Sequence, residues 1–213
     1  PISVQARIQR FLYVSTDEVY GDIEKDTVAQ ESSPIRPSNP YAASKAGAEH
    51  LVLSFHRTHR LPVVLTRGAN TYGPGQHPEK FLPRMYGCAA LGRPLPLYGD
   101  GEQQRDWLQV EDHVSGILAA FERGGEGEVY NLGAGMVQSN RAILRLMLEK
   151  AGLEAEWVSV ADRPGHDRRY AMDFGKAQRQ LGWMPEVEIE RGMMEMVAWF
   201  RSEEHTSELQ SQF

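Results

Sequence analysis

Phe11-Leu-Tyr-Val-Ser15-Thr16-Asp17-Glu18-Val19-Tyr20-Gly21 is the stretch that decides the fold, and it is read together with Tyr41-Ala-Ala-Ser-Lys45 downstream. The apolar run Phe11 to Val14 has the length of a buried strand, and it stops at two hydroxyl residues followed by two adjacent carboxylates. In open α/β sheets, chemistry collects at the carboxyl ends of the strands. A strand ending in Ser-Thr-Asp-Glu therefore delivers four polar side chains to such a place. Tyr41 and Lys45, four residues apart, share one face if the segment is helical.

Working outward, Gly21 to Asn39 is polar and Pro-rich and reads as a long surface loop. Ser38 or Asn39 can cap the next helix, with Pro40 in its first turn. That helix is predicted over Tyr41 to His59, with Ala42, Ala46, Leu51, Val52 and Phe55 as its apolar stripe. Leu61 to Thr66 is a second apolar strand, ending at Arg67-Gly-Ala-Asn70-Thr-Tyr-Gly-Pro74. Strand, helix, strand makes a βαβ unit, the building block of parallel sheets. The fold class is α/β, the carboxyl-terminal part of a Rossmann-like doubly wound parallel sheet plus a smaller mixed α/β substrate-binding domain. Residues 1–75 are assigned to the first unit and 76–200 mainly to the second, partly interleaved with the first.

Beyond Gly75, helices are expected over Phe81 to Leu91, over a segment whose stripe is Val114, Ile117, Leu118 and Phe121, over Ser139 to Ala151, from Asp173 to Leu181, and over Ile189 to Phe200. Short strands are expected at Glu128 to Leu132 and Trp157 to Val160. Pro1 to Arg10 carries little signal. Arg201 to Phe213 abandons the preceding periodicity and resembles read-through of a sequencing adapter, so it is set apart as a non-native tail.

The 213 residues carry 23 Lys and Arg against 29 Asp and Glu, a net charge of −6 with no basic block, which argues against a nucleic-acid partner. No apolar run approaches the ~20 residues a bilayer-spanning helix needs, and the first residues show no secretion signal. Cys88 is the only cysteine and reads as a small buried residue. A cytoplasmic location is expected. His77, His113 and His166 are too scattered for a metal site, and none is assigned.

A phenol titrates near ~10, too high for a base at neutral pH. A neighbouring ammonium from Lys45, and a bound nicotinamide ring, would bring Tyr41 into range. The Thr16 hydroxyl could share the substrate's proton. Asp17 and Glu18 are either solvated loop acids or a pair split in proton affinity by a water-poor cleft, one acid and one base. An elimination of water needs both. Asn70, Lys80, Arg105, Asn131 and Arg163 are candidates for holding a substrate, Lys80 and Arg105 by pairing with phosphates. Taken singly, each reads better as a surface salt bridge. His166 lies in a charged Gly-Pro loop where ligand contact is plausible.

Together these segments resemble the dTDP-glucose 4,6-dehydratases of the extended short-chain dehydrogenase/reductase superfamily. The resemblance rests on Ser15 to Gly21, Tyr41-x-x-x-Lys45, Tyr72-Gly-Pro74 with Pro78-Glu-Lys80, Arg105-Asp-Trp107 and Asp162-Arg-Pro-Gly-His-Asp-Arg-Arg-Tyr170. It implies that Tyr41, helped by Lys45 and Thr16, takes the proton of the glucose 4-hydroxyl while NAD takes the hydride. Glu18 then removes the C5 proton, Asp17 protonates the departing 6-hydroxyl, and the hydride returns to C6. It also implies that Thr16, Asn70, Lys80, Phe81, Pro96, Leu97, Tyr98, Arg105, Asn131, Asp162, Arg163, Pro164, Gly165 and His166 hold the sugar nucleotide. Ser15, Tyr41, Lys45 and Thr71 would meet NAD, although many members carry Asn where Thr71 stands. The family's Gly-x-x-Gly-x-x-Gly phosphate loop has no counterpart here, so the chain is expected to be an amino-terminally truncated fragment, inactive alone, of a homodimeric parent. Another nucleotide-sugar epimerase, decarboxylase or dehydratase is the alternative, as is a non-catalytic module.

Overall fold

The computed structural model describes residues 8–202. The first part of the Pro1 to Arg10 segment and all but the start of the proposed tail lie outside the described residues. In chain order the elements are strand β1 (Phe11–Thr16), a 3-10 turn (Asp17–Tyr20), helix α1 (Pro40–His59), β2 (Val63–Gly68), β3 (Asn70–Tyr72), α2 (Phe81–Ala90), β4 (Leu95–Tyr98) and β5 (Gln104–Gln109). There follow α3 (Val110–Arg123), β6 (Val129–Leu132), β7 (Val137–Ser139), α4 (Asn140–Ala151), β8 (Trp157–Val160), α5 (Gly175–Leu181) and α6 (Ile189–Arg201).

The two strands that read as apolar runs and the short strand expected near Leu132 form one sheet in the order β1-β2-β6, all parallel. Every residue of β2 is buried, as a central strand covered on both faces requires. β1 runs in register from Phe11 opposite Val63 to Thr16 opposite Gly68, so its polar end lies level with the end of β2. The segment just after β2 enters a second sheet, β3-β5-β7, with β3 parallel and β7 antiparallel to β5. β4 and β8 form a parallel pair of their own. The structure is thus α/β with parallel strands and covering helices, the class the sequence indicates.

Helix α1 starts where its chemistry says. Asn39 is the N-cap, its Oδ1 accepting the Ala42 N–H at 2.9 Å, and Pro40 is the first helical residue. Its buried face differs from the expected stripe. Ala42, Ala46 and Glu49 face inward while Leu51 is 58% exposed. Glu49 is buried because Arg67 on β2 meets it with two parallel bonds, the closer at 2.7 Å, and Arg67 also donates to the Tyr20 hydroxyl at 2.7 Å. Helix α3 shows the same reversal. Its inner face is Asp112, Gly116, Ala119 and Ala120, whereas Val114, Leu118 and Phe121 point outward. Small residues win the inner face because the Gly116 position lies against Trp183 and Leu132, which leave no room for a larger side chain.

One core gathers Leu82, Met85 and Tyr86 of α2, Leu144 and Met147 of α4, and Met193, Met196 and Phe200 of α6, with Cys88 buried in it. A second gathers Val19, Tyr20, Val64, Leu108, Tyr130, Leu132 and Trp183. The 21–39 segment is less of a surface loop than its composition suggests: Ala29 is buried and bridges Met172, and the Glu31 carboxylate accepts the Asn131 N–H. No helix among the described residues is long and apolar enough to cross a membrane.

Candidate active site

At the end of β1 the chain turns at once into the 3-10 helix. Thr16 caps it, its Oγ1 accepting the Glu18 N–H at 3.3 Å, and Gly21 ends it at φ +74° with the Arg36 carbonyl packed where a side chain would stand. This turn places Asp17 inward and Glu18 at the cavity edge. Thr16 Oγ1 also lies 3.2 Å from Asp17 Oδ1, while Asp17 Oδ2 is buried with no partner among the described residues. Burial pushes the Asp17 carboxyl up to about 8, helped by the neighbouring charges of Glu18 and Asp106 and opposed by Arg105 and the Thr16 hydrogen bond. Asp17 therefore holds its proton at neutral pH. The sequence pairing of the two acids has a structural counterpart: one is buried and protonated, the other stands beside it.

Tyr41, in the first turn of α1, is 54% exposed and lines the same cavity. Partial burial, and then the carboxylates Glu18 and Asp17, hold its phenol above the usual range, with a hydrogen bond to Thr16 pulling the other way. Lys45 stands one helical turn along α1 from Tyr41. Its Nζ donates to the Val14 carbonyl at 2.7 Å and sits 4.5 Å over the Tyr13 ring, so the ammonium also ties α1 to β1.

Two cavities meet here. One, of about 420 Å³, is lined by Ser15, Thr16, Asp17, Glu18, Tyr41, Asn70, Thr71, Lys80, Phe81 and Arg163, and also by Gly68, Ala69, Gln76, Trp107 and His113. The other, of about 680 Å³, is lined by Asn70, Lys80, Phe81, Pro96, Tyr98, Arg105, Arg163 and His166, together with Glu79, Arg84, Met85, Trp107, Asn140, Val160 and Ala161. Asn70, Lys80, Phe81, Trp107 and Arg163 belong to both walls. In a chain of net negative charge, the larger cavity collects Lys80, Arg84, Arg105 and Arg163 against the single carboxylate of Glu79. Such a lining suits a phosphorylated ligand.

Some expected residues are not brought to these walls. Asn131 is 0% exposed and its amide is consumed by the fold: it accepts from Tyr20 Oη at 2.7 Å and donates to the Ala29 and Asp173 carbonyls. Leu97 alternates away from Pro96 and Tyr98 into the core, as strand periodicity dictates. Pro164 and Gly165 line neither cavity, and Gly165, at φ +68°, packs against the Ser38 carbonyl. Asp162 acts through neighbours, accepting from Gln103 at 2.8 Å and pairing with His166 Nδ1 at 2.6 Å.

Other site residues escaped the sequence reading. His113, passed over as a metal ligand, lies 2.7 Å from the Thr71 hydroxyl through Nδ1 and leaves Nε2 unpartnered among the described residues. Burial holds its ring below the usual value. Gln76 and Trp107 also line the cavity. Asn39 Nδ2 donates to Glu18 Oε2 at 3.2 Å. Among the described residues, no group of three or more His, Cys, Asp or Glu is arranged to hold a metal ion.

Residues 3–196 match the family described as GDP-mannose 4,6 dehydratase. The dTDP-glucose 4,6-dehydratase of an Actinoplanes species is 46% identical over 94% of this chain, and the enzyme of that name from Haemophilus influenzae is 44% identical over 90%. The chain spans about 60% of the length of these relatives, 62% and 60% respectively. A crystal structure of dTDP-glucose 4,6-dehydratase from Streptomyces venezuelae, with NAD bound, superposes with a TM-score of 0.93 at 41% identity, covering 97% of this chain and 65% of that one. UDP-glucose 4-epimerase from Thermus thermophilus in complex with NAD gives 0.89 at 30% identity, covering 94% and 66%. The motif resemblance and the site's position at the carboxyl ends of parallel strands agree with these matches: the chain belongs to the GDP-mannose 4,6 dehydratase family.

Proposed function

We propose that the protein containing this chain dehydrates dTDP-glucose to the 4-keto-6-deoxy sugar, with NAD as cofactor. The observation that carries the reading is Asp17, buried and protonated beside Glu18, in a cavity that also holds Thr16 and Tyr41. An acid and a base one residue apart answer the needs of eliminating water across one carbon–carbon bond. The dTDP moiety and glucose are supported by the names of the relatives and by the cationic wall of Lys80, Arg84, Arg105 and Arg163.

The described residues fit one end of NAD. Ser15 Oγ, Asn70 Oδ1, Gln76 Oε1 and His113 Nε2 are buried polar atoms on the smaller cavity's wall with no partner among the described residues, so they await hydrogen-bonding groups. Ser15, Thr71 and Tyr41, with Gln76 and His113, would hold the nicotinamide end. No Gly-rich loop for the diphosphate occurs in this sequence. When bound, the cofactor supplies a two-electron acceptor for C4 and a donor for C6. Tyr41 takes the proton of the 4-hydroxyl, with Thr16 hydrogen-bonded to it. The resulting ketone acidifies C5–H, Glu18 takes that proton, and Asp17 gives its own to the leaving 6-hydroxyl. Lys45, one helical turn from Tyr41, would supply the positive charge that brings the phenol into range, and it also anchors α1 to β1. The reading includes a cytoplasmic location, supported by the unpaired thiol of Cys88, and a homodimer formed through α1, whose Leu51 is exposed.

The test uses the full-length protein, dTDP-glucose and NAD, with products followed by mass spectrometry. Loss of one water is expected, and Asp17→Asn should slow it at least ~100-fold while slow oxidation at C4 persists. A product of unchanged mass, differing only in configuration, would favour the epimerase reading instead.

A further inference from the structure

Glu18 is not held by its own turn alone. Its Oε2 accepts from Asn39 Nδ2 at 3.2 Å and lies 3.4 Å from the hydroxyl of Tyr170, a residue 152 positions away that is 2% exposed. The Tyr170 hydroxyl donates to Asp167 Oδ2 at 2.7 Å, and that oxygen also accepts from Ser38 Oγ. Arg105 closes the arrangement from the cavity side. Its guanidinium lies 4.2 Å from the Tyr170 ring centre, and Nη2 donates to the Asp167 carbonyl at 2.9 Å. Backbone bonds from Gln104 N–H to Arg168 O and from Tyr170 N–H to Gln104 O fasten the segment to β5. Asp167 immediately follows His166, which with Arg163 and Arg105 lines the larger cavity. One short segment therefore touches the larger cavity at one end and the Glu18 carboxylate at the other.

We infer that Tyr170, held by Asp167, is a positioning residue for Glu18 that transmits the seating of the nucleotide sugar against Arg163 and His166 to the carboxylate that takes the C5 proton. The inference rests on the dehydratase reading above. A phenol supplies one proton, and here two carboxylates compete for it. In this structure Asp167 holds it, and the Tyr170 oxygen stands off Glu18 at a distance where a small shift makes or breaks the bond. Burial first, and then the hydrogen bond to Asp167 and the charge of Glu18, hold the phenol far above its ordinary value, so it stays a neutral donor at any working pH. Meanwhile Oε2 of Glu18 is occupied by Asn39. The geometry fixes the carboxylate by one oxygen and leaves the other for the substrate. A displacement of about 1 Å at such a group is costly to rate, and the segment that senses the ligand is the segment that sets this displacement.

The experiment compares wild-type, Tyr170→Phe, Asp167→Ala and Glu18→Gln full-length proteins on dTDP-glucose and on its C5-deuterated form. Tyr170→Phe and Asp167→Ala should each lower kcat roughly tenfold, in line with loss of a hydrogen bond to a charged group, with dTDP affinity unchanged within twofold. Both should raise the C5 deuterium isotope effect, because proton removal from C5 becomes limiting. A Tyr170→Phe/Glu18→Gln double variant should be no slower than Glu18→Gln alone. An unchanged isotope effect in Tyr170→Phe, in a protein whose thermal unfolding matches wild type, would overturn the inference while leaving the dehydratase reading intact. Normal dehydration by Glu18→Gln would instead remove the base assignment on which both rest.

Discussion

Asp17 has one carboxyl oxygen beside a threonine hydroxyl and another, buried, with no partner among the described residues. Its proton affinity couples chemistry to stability. In the unfolded chain it titrates at the ordinary aspartate value of 3.8, and in the fold at about 8. Below about pH 4 both states hold the proton and the site costs nothing. Between about 4 and 8 the unfolded state releases the proton while the folded state keeps it, so stability falls as pH rises, and above 8 the loss is complete. Thermal unfolding measured across that interval should show this decline, on the order of a few kcal/mol in all, and Asp17→Asn should flatten it. A variant with the wild-type slope would show that Asp17 is not the group responsible. The same group, acting as an acid, should make dehydration fall as pH passes about 8.

Helix α1 shows how far an element can be read from its own residues. Its start is written in local chemistry, Asn39 and Pro40, and the structure uses both. Its inner face is not, because hydropathy counts Leu51 as core and Glu49 as surface. The fact that reverses them is Arg67, 18 residues later on β2, which makes Glu49 the better residue to bury. Strands β1 and β2 were legible because continuous apolar runs have one reading inside a parallel sheet. Leaving Arg67 buried without its partner should be severe: in this chain as a monomer, Glu49→Ala is expected to destabilise the fold by about 3–5 kcal/mol, read as a lowered Tm, whereas Leu51→Ala on the exposed face should change it by less than about 0.5 kcal/mol. Equal effects of the two would mean that the ion pair contributes little beyond helix packing.

At the scale of the molecule, the cavity walls were legible where polar residues cluster in one short stretch. Thr16, Asp17, Glu18, Tyr41, Asn70, Lys80 and Arg163 could be named, and the structure gathers them. His113 could not, nor could the parts played by Trp107 and Tyr170, which the motifs contain without assigning, since each reaches the site through packing between distant elements. Asn131 was misread for the complementary reason: a strand-end amide looks available until Tyr20, Ala29 and Asp173 are seen to use all of it. The sheet itself carries a last consequence. Among the described residues β1 pairs with β2 on one side only, and Val14 in its middle is exposed. Half of that strand's hydrogen-bonding capacity is therefore open to recruitment by another extended segment, and Lys45 blunts it at a single carbonyl. A chain of these 213 residues should thus self-associate as its concentration rises, gaining strand content. Sedimentation velocity with circular dichroism would show this, and Val14→Lys should restore the monomer. A wild-type chain that stays monomeric at every concentration would mean that the edge is shielded by something other than Lys45.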